Sequence, residues 1–111
     1  MIRMPMSQAA SALLRALIAR SAAPRDRILL IDVRSIDWRS LTFTGERHSI
    51  ELRVSAPHSA AIVERMCAGL EDTEFSIPGI VVADMHVAEA PSRSADGSTS
   101  LTIEALTIAD D

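Results

Sequence analysis

His48-Ser49-Ile50-Glu51-Leu52-Arg53-Val54 is the stretch that decides the fold. His48, Ile50, Leu52 and Val54 alternate with Ser49, Glu51 and Arg53, the period of a strand with one buried and one wetted face. Just before it, Thr44-Gly45-Glu46 reads as a compact turn, with Gly45 free to take positive φ. Upstream of that turn a second strand is expected from Ile28 onward. Leu29, Ile31 and Val33 alternate, Ile36 and Trp38 take the opposite parity, and Leu41 and Phe43 return to the first. Two parity changes imply a bulge or bend between Val33 and Leu41. The pair forms a hairpin.

A helix flanks this hairpin on each side. Residues 7–21 place Ala10, Leu13, Leu14, Leu17 and Ile18 on one face, with Ser7 as the N-cap and Pro24 closing the segment. Pro57 ends the strand and opens a second helix, in which Ile62, Val63, Met66, Cys67 and Leu70 recur at offsets of three and four. After Pro78-Gly79, Val81, Ala83, Met85 and Val87 alternate with Val82, Asp84, His86 and Ala88. Residues 92–98, with Asp96-Gly97, read as a hairpin loop. Leu101, Ile103 and Ala105 make the last strand, with a shift of parity to Leu106 and Ile108, and Asp110 and Asp111 end in solvent.

The order helix, hairpin, helix, hairpin predicts an α+β domain of ferredoxin-like type. Residues 7–55 and 58–108 form two αββ units that make one four-stranded antiparallel sheet with two helices on one face. Residues 1–25 are a basic N-terminal segment whose amphipathic helix, 7–21, docks on the main body at 26–111. The other sheet face is expected to be open and to carry Ile80, Val82, Asp84, His86, Glu51, Arg53 and Glu104, a mixed patch suited to a partner contact.

The composition narrows the function classes. A chain of 111 residues, 48% hydrophobic, is one domain with an aliphatic core, since aromatics are only 3%. All 11 basic residues are arginine, against 15 acids, for a net charge of −4. Arg3, Arg15, Arg20 and Arg25 precede any acid, which invites a targeting or membrane-proximal reading of residues 1–25, while the other seven arginines face all fifteen acids. That balance, with no pair of aromatics placed for an open sheet face, excludes a nucleic-acid partner. No unbroken apolar run exceeds four residues, as at 16–19 and 28–31, so no membrane span is expected in these residues.

Reactive constellations are few. The single cysteine, Cys67, sits on the apolar side of its helix and reads as a small core residue, not a nucleophile. Asp84 and His86 share one side of a strand, with Glu104 on the neighbouring strand as the third member of a metal-like set, and Glu51 and Glu104 on the outer face are a carboxylate pair of the kind acid–base work uses. Outer-face polarity produces the same pattern, so no catalytic, cofactor or metal role is assigned to these residues, and no cofactor is expected.

Several local phrases carry a family resemblance over residues 10–108. A leading helix is followed by Asp37-Trp38-Arg39-Ser40-Leu41-Thr42-Phe43-Thr44-Gly45. A strand ending at Val54-Ser55-Ala56-Pro57 comes next, then residues 62–70 with Glu71, and a final hairpin with a hydrophilic tip closing on residues 101–108. In this pattern the chain resembles the periplasmic ferredoxin-like domains of type IV pilus assembly proteins of the PilN and PilO families. It is equally similar to those of the general secretion pathway L and M proteins. The resemblance implies a non-enzymatic scaffold that pairs with itself and with other inner-membrane platform components at the periplasmic face, without catalytic residues. The family's N-terminal membrane helix is not among these residues, so the chain is expected to be a trimmed domain or to use the fold otherwise. The reading is therefore a homodimeric protein-interaction module of a pilus or type II secretion platform. The alternatives are a small ligand-binding or regulatory domain with a pocket at a dimer interface, and a small enzyme using Asp84, His86 and Glu104.

Overall fold

A computed structural model describes residues 6–109. The expectation for Asp110 and Asp111 lies outside these residues. Helix α1 (Gln8–Ser21) leads into strands β1 (Ile28–Arg39) and β2 (Thr44–Val54), and helix α2 (Ser59–Cys67) leads into β3 (Ile80–Arg93) and β4 (Thr99–Ala109). The four strands form one antiparallel sheet in the order β1-β2-β4-β3, which leaves β1 and β3 as edges. No helix among the described residues is long and apolar enough to cross a membrane.

The helices start and stop where local chemistry dictates. The Ser7 hydroxyl accepts the Ala10 N–H at 3.1 Å and closes the first turn of α1, which ends on Ala22 in the left-handed region. Leu13 and Leu17 of α1 and Ile62, Val63 and Met66 of α2 then meet Ile50, Leu52 and Val54 of β2, Met85 of β3, and Leu101 and Ile103 of β4 in one core. All the strand residues in that core share one parity, so both helices cover the same face of the sheet. Each such aliphatic side chain contributes about 1.5–3 kcal/mol through removal from water.

Arginine, the only basic residue type in the chain, ties the ends of these elements together. Arg20 of α1 donates to the carbonyls of Met66 and Ala68 at the end of α2 and lies 5.8 Å from the Phe75 ring centroid. Arg65 of α2 returns the contact by donating to Ser21 O at 3.0 Å. Arg27 donates to Ser55 Oγ, Ser55 O and Pro57 O, anchoring the start of β1 to the end of β2. A guanidinium fork reaches two or three acceptors from one stem, which a lysine ammonium does with less geometric definition.

Six sequence expectations are corrected. The β1–β2 turn is residues 40–43, closed by Ser40 N–H to Phe43 O at 2.9 Å, and Gly45 lies inside β2 without positive φ. A Cβ at Gly45 would stand 1.9 Å from Thr107 O, so glycine is needed there for close approach of β2 and β4 backbones. The bulge in β1 falls at Ile31, where register shifts between Leu30 and Asp32, so Ile28, Leu30 and Val33 turn inward while Leu29 and Ile31 are exposed. Leu41 and Phe43, expected on the core parity, are exposed as well. In β3 a shift between Val82 and Asp84 puts Val82 against the core and Val81 outside, and Ile80 turns to the helix side, near Ala9. Ile80 and Val82 therefore do not belong to the open face. Finally, β4 keeps one parity throughout, with Thr107 buried, and the β3–β4 loop shortens because Ser92 and Arg93 pair with Ser100 and Thr99.

Candidate functional site

The uncovered face of the sheet is built by the residues of the other parity. Register places Arg34, Ser49, Glu104 and His86 in one row across the four strands, and Ile36, Arg47, Leu106 and Asp84 in the next. A third row, Trp38, Gly45, Ile108 and Val81, closes that end. The face thus runs from a charged middle to an apolar end.

Asp84, His86 and Glu104 do come together there. His86 Nδ1 lies 2.9 Å from Asp84 Oδ2, and His86 Nε2 lies 3.5 Å from Glu104 Oε1. The two carboxylates therefore address opposite ring nitrogens, and the three groups form a line, not a cup. A metal ion on Nε2 would have Glu104 beside it and Asp84 on the far side of the ring, one ligand short of the three that catalytic zinc sites use. Among the described residues no three His, Cys, Asp or Glu side chains converge on one point. The arrangement orients an imidazole between two acids. It donates to both only as an imidazolium, since the neutral ring carries a single N–H. A shallow groove of about 350 Å³ borders it, lined among others by Arg34, Ile36 and Arg47.

A second polar constellation lies on the helix side and escaped the sequence reading. His48, buried, bridges three strands: its Nδ1 is 2.8 Å from Ser35 Oγ on β1, and its Nε2 is 2.8 Å from Thr107 Oγ1 on β4. The Thr107 hydroxyl donates onward to Glu46 O at 3.5 Å, which leaves it to accept from Nε2–H and leaves Nδ1 to accept from Ser35. Burial holds the His48 pKa below the ordinary histidine value, against a smaller upward pull from Glu46. A neutral ring between two hydroxyls is fully satisfied, so this is a strand-to-strand tie.

Cys67 is half-buried, less enclosed than its helical position predicts, and lines a groove of about 300 Å³ with Val63, Pro91 and Thr99. Burial pushes its thiol pKa up, against an opposing effect of the Arg20 guanidinium.

The least ordinary surface feature is apolar. Among the described residues, the large hydrophobic side chains left exposed are Leu29, Ile31, Ile36, Leu41, Phe43 and Val81, and five of these six lie on β1 or in the turn that follows it. Ile36 is 67% exposed and Leu41 fully so. Sequence periodicity located these residues but assigned Leu29, Ile31, Leu41, Phe43 and Val81 to the core side.

No protein-family model matches the chain, and no curated protein or solved structure does either.

Proposed function

We propose that this chain is a non-enzymatic protein-interaction and dimerisation module, and that it serves in an inner-membrane assembly platform of the type IV pilus or type II secretion kind. The observation that carries the reading is the concentration of exposed apolar residues on one edge strand and its turn, where a free strand edge also offers unpaired backbone N–H and C=O groups. The fold is read as ferredoxin-like, with two αββ units. Its support is the element order together with the central β2–β4 pairing, which relates a β1–β2 hairpin on one side to a β4–β3 hairpin on the other. The Asp84–His86–Glu104 set is linear and offers no convergent ligand geometry, so the reading assigns it no reaction. The platform assignment and the periplasmic location rest on the resemblance over residues 10–108.

Affinity capture of the tagged chain from crosslinked native cells, with partners identified by mass spectrometry, tests this function. Recovery of inner-membrane pilus or secretion components is the expected result. Recovery of the chain with soluble metabolic enzymes, or with nothing, contradicts the platform assignment.

A further inference from the structure

We propose that β1 pairs antiparallel with β1 of a second copy about a two-fold axis through Ile36, giving one continuous eight-stranded sheet. This rests on the reading of the chain as an interaction module and assigns its partner, its surface and its register. The two edges of the sheet differ in what they permit. Edge strand β3 has register shifts at Val82/Asp84, Val87/Glu89 and Glu89/Ser92 and contains Pro91. Bulges and proline are the devices that keep an edge from pairing. Edge strand β1 has one bulge, at Ile31, and from Val33 to Arg39 runs in unbroken register with β2. The regular edge is also the apolar one.

The register follows from symmetry. Residues opposed in an antiparallel pair share a face. A two-fold axis normal to the sheet must therefore pass through a residue, opposite its own copy. An axis at Arg34 or Asp37 sets like charges against each other, which is destabilising. An axis at Val33 brings the Ile31 bulge into the ladder after one further pair, and an axis at Trp38 or Arg39 leaves at most three residues of β1 opposed, because the strand ends at Arg39. An axis at Ser35 opposes Arg34 to Ile36, Asp32 to Trp38 and Val33 to Asp37, a charge against an apolar group in each case. With the axis at Ile36, the isoleucine meets its own copy, Arg34 meets Trp38 of the second copy in cation–π reach, and Ser35 meets Asp37. Val33 meets Arg39, the one charge set against an aliphatic group in this register, and no like charges oppose each other.

The exposed apolar residues fit this axis independently of the charges. Leu29, Ile31, Ile36, Leu41 and Phe43 are spaced symmetrically about position 36, with 29 answering 43 and 31 answering 41. Ladder pairing about Ile36 covers residues 33–39 of each copy, and it places the turn that carries Leu41 and Phe43 at the end of the second copy's β1 where Leu29 and Ile31 are exposed.

Disulfide trapping in the full chain, in a Cys67→Ser background, tests the axis. Opposed residues of an antiparallel pair have Cα atoms about 4.5–5.5 Å apart, inside the span a disulfide bridges. Ile36→Cys is expected to crosslink to a covalent dimer under mild oxidation. Arg34→Cys and Trp38→Cys are each expected to stay monomeric alone, being about 13 Å from their own copies, and to crosslink when mixed. Ile36→Asp, at an exposed position that leaves folding intact, is expected to shift the sedimenting species from dimer to monomer. A wild-type dimer that Ile36→Cys does not trap overturns the axis while leaving a dimerising module. A wild-type monomer at micromolar concentration, with no trapping at any of the three positions, overturns self-association. The platform function is then judged by its own capture experiment.

Discussion

His48 ties β1, β2 and β4 together as a neutral imidazole, and its protonation costs the fold. Burial sets its pKa below the ordinary 6.5, so below that pH the unfolded chain takes up the proton more readily than the folded one. Its contribution is complete above about pH 6.5 and is lost as the pH falls through the lower folded value. Urea unfolding is therefore expected to show stability falling on acidification below pH 6.5, and His48→Gln is expected to flatten that slope. Thr107→Val leaves the Nε2–H without its acceptor and is expected to cost about 1–3 kcal/mol, the penalty of a buried unpaired donor. The sequence placed His48 on the buried parity through Ile50, Leu52 and Val54, but not its partners. Ser35 and Thr107 lie 13 and 59 positions away, and a small hydroxyl residue reads alike in a core tie or a wet surface. Cys67 obeys the same environmental logic. With its thiolate disfavoured by burial, it is expected to react with a thiol reagent more slowly in the native state than in denaturant. Equal rates would place it in open solvent.

At the scale of elements, the strands show where periodicity holds and where it fails. β2 and most of β4 alternate apolar with polar residues, and their faces were legible. Residues 28–31 and 80–83 are apolar at every position, so alternation offers no contrast there. A bulge falls in each of these stretches, at Ile31 and at Ala83, and reverses the faces of the residues beside it. Gly45 is a similar case. A glycine near a hairpin is ordinarily read as a turn residue, yet its function is to let the Thr107 carbonyl approach. Gly45→Ala is expected to lower the melting temperature through separation of β2 from β4, more than an alanine at Gly69, where an added Cβ meets nothing. Strain remains at Gly69, whose φ is +64°, so the comparison separates the collision from backbone preference. An equal loss at both positions would contradict the close-approach account.

For the whole molecule, burial on one face and exposure on the other define what remains to be covered. Core packing occupies the helix side of the sheet, while the outer face and the β1 edge have no partner among the described residues. The architecture of helices and hairpins was legible from the order of periodic segments. The outer-face line of Asp84, His86 and Glu104 was legible from strand parity and register. The exposed edge was not, because it depends on the Ile31 bulge and on a turn that projects Leu41 and Phe43 outward, both tertiary outcomes. Backbone hydrogen exchange of the full chain, followed as a function of its concentration, tests whether β1 pairs with a second copy. Self-pairing predicts that amides within residues 33–39 gain protection as concentration rises, while those of β3 do not change. Exchange in residues 33–39 that is fast and independent of concentration would contradict it.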